Sequence, residues 1–328
     1  MKLKNSIFGL ALMGVLFVGC NKQSDIGFAP ESDGLTESEL STLARTSGFT
    51  ITEKGYIRFD DLASFQAVVG SLDNEEDSVI AAWESSIGFS SLRAKFAALA
   101  ETDEEYLNPV EGVDNFGAVI NQDGVFAIGD TIHVVTYEKE YLITDGDESK
   151  IANVTSQNAS SQNVETFNIE RTPLRVAEID GAPFMSAFAT WSGTKGVTEP
   201  ECTAPGRRER VVLEAFANNY ASYGKIGARI KGEAYRKGGL FGSKKWRDDE
   251  VQYGKMQGVA KYYYAAPDPI MKSIWAEGWD KEQIRNIVDE YYTTPFYSSF
   301  DAEFIEVTYT YRKNTGCPLV TKTIKFVK

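Results

Sequence analysis

The stretch RVVLEAFANNYASYGKIGARIKGEAYR, residues 210–236, decides the fold class. It holds two runs of strand length, Arg210–Tyr220 and Gly224–Arg236, separated by a short break, and it reads as a long antiparallel pair. The chain on either side extends the pattern. Lys244–Lys255, Gly258–Ala265, Phe304–Arg312 and Leu319–Val327 are further strand candidates, and their lengths and turn spacing predict an antiparallel β-sandwich. One amphipathic helix is expected within it, from Asp280 to Tyr291, with Ile284, Ile287 and Val288 inward.

Upstream the periodicity changes. Asp60 or Asp61 caps a segment in which Leu62, Phe65, Val68, Val69 and Leu72 share one helical face. Asn74 is expected to cap a second helix, striped by Val79, Ile80, Trp83 and Ile87 and closed by Gly88. Ser90 opens a third, with Leu92, Phe96 and Leu99 in register. From Phe116 onward short β-type runs return, including a hairpin around Glu138-Lys139, and residues 49–59 offer one more strand, with Phe49, Ile51, Ile57 and Phe59 flanking the turn at Lys54-Gly55. The fold class is therefore α+β: a small helical layer with an antiparallel sheet in the N-terminal half, and a β-sandwich in the C-terminal half. Gly193, Gly196, Pro200, Pro205 and Gly206 place the boundary near residue 195.

Charge divides the same way. Residues 20–194 hold 10 Lys and Arg against 30 Asp and Glu, and residues 195–328 hold 22 against 17. An acidic first half argues against nucleic acid as a partner. The asymmetry supports two domains, 49–195 and 196–328.

The N-terminus carries its own information. Lys2 and Lys4 precede an almost wholly apolar run from Ile7 to Val18, then Gly19 and Cys20. That run is shorter than the ~20 residues of a membrane-spanning helix and reads as a secretory signal over residues 1–19. A small residue directly before Cys resembles the lipobox of bacterial lipoproteins, which implies cleavage before Cys20 and lipid attachment to it. Residues 20–48 read as a polar tether. Export leaves Cys202 and Cys317 as a pair, expected to form a disulfide rather than a zinc site.

Together the lipobox, the tether and the segments FDDLASFQAVVGSL, WESSIGFSSLRAKF, FGAVINQDGVFAIGDTIHVV and KGGLFGSKKW resemble uncharacterised envelope lipoproteins of Bacteroidetes. The resemblance implies an outer-membrane lipoprotein, on the periplasmic face or the cell surface, with no established activity.

Motifs for catalysis are absent from the sequence. His133 is the single histidine, and it reads as a solvent-facing or hydrogen-bonded strand residue. No Gly-x-Ser-x-Gly elbow, His-Glu-x-x-His, P-loop or dinucleotide fingerprint occurs. Asp145-Gly146-Asp147-Glu148 lacks the spacing of a calcium loop and reads as a solvated turn. No metal and no cofactor are expected. Aromatic residues give the positive signal: Trp275 and Trp279, beside Gly278, are the candidate binding residues, because flat rings stack on sugar faces and anchor protein interfaces. The functional reading is a lipid-anchored binding protein of the envelope, its partner a glycan or another envelope protein. The alternatives are a glycan-directed hydrolase using paired carboxylates and an envelope assembly component.

Overall fold

The computed structural model describes residues 48–73, 75–100, 107–110, 113–154, 162–171, 174–180, 182–183, 188–190, 193–198, 208–237, 244–264, 267–292 and 300–327. The signal, Cys20, the tether, Cys202 and most of the polar loop 153–163 lie outside them. The fold is α+β in outline, with strand far exceeding helix.

Residues 49–59 form two short strands rather than one, β1 (Phe49–Ile51) paired with β2 (Ile57–Phe59) in antiparallel register about the expected turn. Helix α1 (Leu62–Ser71) begins at Asp61, whose carboxylate accepts from the Ser64 N–H and hydroxyl, both at 2.8 Å. Helix α2 (Asp77–Ser86) starts after Glu76, not at Asn74, and no side-chain bond caps it. The chain leaves it through Gly88 at φ +67, a left-handed conformation that suits glycine. Helix α3 (Leu92–Ala100) is capped one residue later than expected, by Ser91, whose hydroxyl oxygen accepts from Ala94 N–H at 2.9 Å. That hydroxyl in turn donates to Glu84, which also takes two bonds from Arg93 at 3.0 and 2.7 Å. All three groups are buried, so one carboxylate fixes α2 against α3. The short α4 (Asp114–Ala118) completes the layer.

The sheet beneath the helices runs β1-β2-β3-β4-β5-β6, with β3 Val125–Ile128, β4 Thr131–Val135, β5 Lys139–Ile143 and β6 Val164–Asn168. Its pairs are antiparallel except β2–β3, where the helices make the crossover. Phe59, Phe65, Phe116, Phe126 and Trp83 fill the core between helices and sheet. Tyr220 and Tyr223 from the later chain join the same cluster.

The remaining strands form two further sheets. In one, β10 (Phe188–Thr190), β11 (Gly193–Thr198), β12 (Glu209–Asn219), β13 (Tyr223–Lys237) and β14 (Lys244–Asp248) run in sequence order. The two-residue β7 (Glu170–Arg171) pairs with β12, and β17 (Gln283–Tyr292) pairs with β13. In the other, the order is β16 (Ile270–Lys281), β15 (Val251–Tyr264), β18 (Phe300–Arg312), β19 (Val320–Val327), β8 (Arg175–Ile179) and β9 (Ala182–Pro183). One cluster joins their facing residues: Val211, Leu213, Ile226 and Ile230 from the first, Met256, Ile274, Ile305, Val307, Tyr309 and Ile324 from the second. Gly224 makes room in it, since a Cβ there would lie 2.2 Å from the Tyr291 ring.

Two features depart from the sequence reading. Residues 280–291 are not a helix but mostly β17, paired with β13 from Tyr223↔Tyr292 to Lys231↔Gln283. Residues 244–255 are not one strand, because the chain breaks at Asp249-Glu250 between β14 and β15.

Opposite charges of the two halves pair with each other, some buried and some at the surface. Lys225 reaches Asp73 at 4.0 Å, Arg285 reaches Asp114 at 3.8 Å, and Lys281 pairs with Glu76. Lys225 is wholly buried. Desolvation brings its ammonium down to about 8, beside Asn115 Oδ1 at 3.3 Å. A second buried link centres on Glu140. It pairs with His133 Nδ1 at 2.7 Å and accepts from Ala221 N–H at 2.7 Å and the Ser222 hydroxyl at 3.3 Å. Strand β5 is thereby tied to the β12–β13 turn. His133 is hydrogen-bonded as one of its two readings had it, but it is buried, stacked on Phe126 at 4.5 Å between ring centroids.

Candidate ligand-binding face

Strand β16 shows what places Trp275 and Trp279 in solvent. Its inward residues are Ile274, Ala276 and Gly278, and its alternate residues Met271, Ser273, Trp275, Glu277 and Trp279 are exposed. A strand rises ~3.3 Å per residue and alternates faces, so the two tryptophans stand on one side about 13 Å apart. Trp275 is 45% exposed and Trp279 58%. They sit on a strand, neither on a helix nor in a loop as the sequence suggested.

Register builds the surface around them. Trp279 lies opposite Tyr253, which lies opposite Arg312. The next row on that face runs Glu277, Lys255, Thr310 and Thr321, and the next Trp275, Gln257, Thr308 and Thr323. The Trp279 and Tyr253 rings are 4.5 Å apart between centroids at 48°, forming an aromatic corner. The Tyr253 hydroxyl donates to Glu277 at 3.1 Å; partial burial and that carboxylate raise the phenol above its ordinary range. Thr308 and Thr323 bond across strands at 2.9 Å, and Thr310 and Thr321 at 3.2 Å. The result is a solvent-facing sheet surface with Trp275, Trp279 and Tyr253 toward β16, threonine hydroxyls toward β19, and Gln257, Lys255, Glu277 and Arg312 among them.

The other residues singled out in the sequence lie elsewhere. Tyr262 and Tyr291 are core residues, their phenols pushed far up by burial. Cys317 is nearly buried in the turn before β19, its N–H donating to Asn314 O at 3.0 Å. In the 145–148 turn each carboxylate is already engaged: Asp145 by Lys150 and Asn163, Asp147 by Ser149, Glu148 by Tyr56. Lys150 and Asn163 hold Asp145 at about 2. Among the described residues no group of three or more His, Cys, Asp or Glu is placed to hold a metal ion. An open hollow of about 540 Å³ between α2 and α3 is floored by the Glu84–Arg93 pair and rimmed by Ser78, Ser85 and Gln122.

Tyr253, Lys255, Gln257 and Arg312 were not singled out in the sequence. The alternation Met271-Ser273-Trp275-Glu277-Trp279 was the available signal, because a strand there puts its pairing partners beside the rings.

No protein-family model matches the chain and no curated protein matches it. Among solved structures, a DUF4848 family protein from Bacteroides thetaiotaomicron aligns at 12% identity, over 83% of this chain and 98% of that one. Its TM-score is 0.22, a value from which shared topology does not follow.

Proposed function

We propose that the protein is a lipid-anchored binding protein of the cell envelope, and that the outer face of β16, β15 and β18 takes a glycan. The observation that carries this reading is the exposure of Trp275 and Trp279 on one face of a paired strand, with Tyr253 beside Trp279. Rings held on a sheet lose little freedom on stacking against a sugar, and the Gln257 and threonine rows offer donors and acceptors to hydroxyl groups. A core role for these tryptophans would leave them buried, as Trp83 is. The two sheets around the shared core are read as the β-sandwich that makes this face rigid.

The anchor belongs to the same proposal, through the signal and Cys20. So does the Cys202–Cys317 disulfide, supported by the burial of Cys317 in the turn before β19. Screening the mature protein on a glycan array, with Trp275→Ala and Trp279→Ala beside it, tests the binding reading. Hits lost in both variants at unchanged melting temperature support it. Hits retained in both, or no hit with any glycan, overturn it.

A further inference from the structure

Arg312 stands in the same row as Trp279 and Tyr253, on the neighbouring strand. Its Nε is buried without a hydrogen-bond partner among the described residues. Among the described residues the ion pairs made from this sheet are Lys261–Glu303, Lys325–Glu306, Lys272–Asp289 and Lys281–Glu76, and they leave out both Arg312 and Lys255. Lys255 is two residues from Tyr253 on the same face and diagonal to Arg312, a separation of about 7–8 Å in paired strands. One acid shares the patch, Glu277, and it already accepts from Tyr253. The aromatic corner is thus bordered by two cations, Lys255 and Arg312, and one occupied carboxylate.

We infer that this end of the face recognises an acidic sugar, its carboxylate held by Arg312 and Lys255 and its ring stacked on Trp279 and Tyr253. The inference rests on the glycan-binding reading and narrows it. The two Nη groups of a guanidinium present parallel N–H donors that match a carboxylate, while Lys255 adds a point charge from the side. A neutral sugar would stack equally well on the rings but would leave Arg312 unanswered. The Trp275 end is bordered by Gln257 and Thr308, and the charges in the next row, Glu306 and Lys325, pair with each other, so this end is assigned to neutral parts of the same chain.

The test uses matched pairs of probes: oligogalacturonate, alginate and hyaluronan oligosaccharides, each with its carboxyl-methylated neutral form. They are titrated against the mature protein and against Arg312→Gln, Lys255→Gln and Trp279→Ala. The inference expects at least one acidic member to bind about tenfold or more tighter than its ester, and to weaken as salt rises. Arg312→Gln should erase that preference and Arg312→Lys restore part of it, at unchanged melting temperature. Equal binding of both forms, with loss only in Trp279→Ala, overturns the acidic assignment and leaves the glycan platform standing. Failure of every acidic and neutral probe overturns both.

Discussion

Replacing Glu140 by leucine should be among the most damaging single changes in this protein. The carboxylate is fully buried and satisfies His133 Nδ1, the Ala221 N–H and the Ser222 hydroxyl. Leucine fills a similar volume but accepts nothing, so buried donors on β4 and on the β12–β13 turn lose their partner. Breaking a buried pair from one side costs about 3–5 kcal/mol. In the unit Gly34–Lys328, whose unfolding entropy is about 2.1 cal/mol/K per residue, that corresponds to a fall in melting temperature of roughly 5–8 °C. The assay is thermal and urea unfolding of the soluble protein, read by tryptophan emission and far-ultraviolet circular dichroism. Glu140→Gln keeps one acceptor oxygen and should lose less. Adding His133→Leu to Glu140→Leu removes one orphaned donor, so the double variant should be less destabilised than the two single losses combined. A loss below about 1 kcal/mol in Glu140→Leu would refute the reasoning, since it would mean that these donors find other partners at no cost.

Lys225 gives a pH prediction. Its folded value of about 8 lies below the ordinary 10.5, so between these values the unfolded chain binds more protons and stability rises with pH. Against Lys225→Met, the wild-type protein should gain about 2 kcal/mol from pH 8 to pH 10; a constant difference across that window would contradict the burial argument. The raised phenols of Tyr223 and Tyr292 act oppositely above pH 10, which is why the comparison stops there. Peptide mapping of unreduced, exported protein should link the fragments holding Cys202 and Cys317, and two freely alkylated thiols would end that pairing. Cys20→Ala should leave the protein unprocessed or in the soluble fraction; membrane retention after a high-salt wash would remove the lipid-anchor reading.

Much of the architecture was legible because local chemistry and tertiary structure agree. Asp61 and Gly88 mark helix ends by capping and by positive φ, and the runs at 209–219, 223–237, 300–312 and 320–327 are long enough to be strands on pattern alone. The failure at 280–291 has a definite cause. Ile284 and Tyr291 both enter the core although they are seven residues apart, a spacing that suits two helical turns and breaks strand alternation. A bulge beside Ile226/Gly227 makes it compatible with β17, by shifting the pairing from Asp289 to Ile287. Strand β16 was missed because its inward side, Ile270, Ile274, Ala276 and Gly278, is interrupted by Lys272 and ends in small residues, so it does not read as an apolar face. The tryptophans were visible in the sequence. Arg312 was not, since its position beside them depends on pairing across three strands, β16 to β15 to β18.

The most direct test of the central claim is calorimetric titration of an array-selected oligosaccharide into the wild-type protein and into the double variant Trp275→Ala/Trp279→Ala. Each ring removed from a stacked contact should cost roughly 1.5–3 kcal/mol, so the double variant should bind about a hundredfold or more weaker. Both rings are exposed, so its melting temperature should stay close to that of the wild type. Undiminished affinity in a folded double variant would contradict the account, because the ligand would then be bound somewhere other than this face.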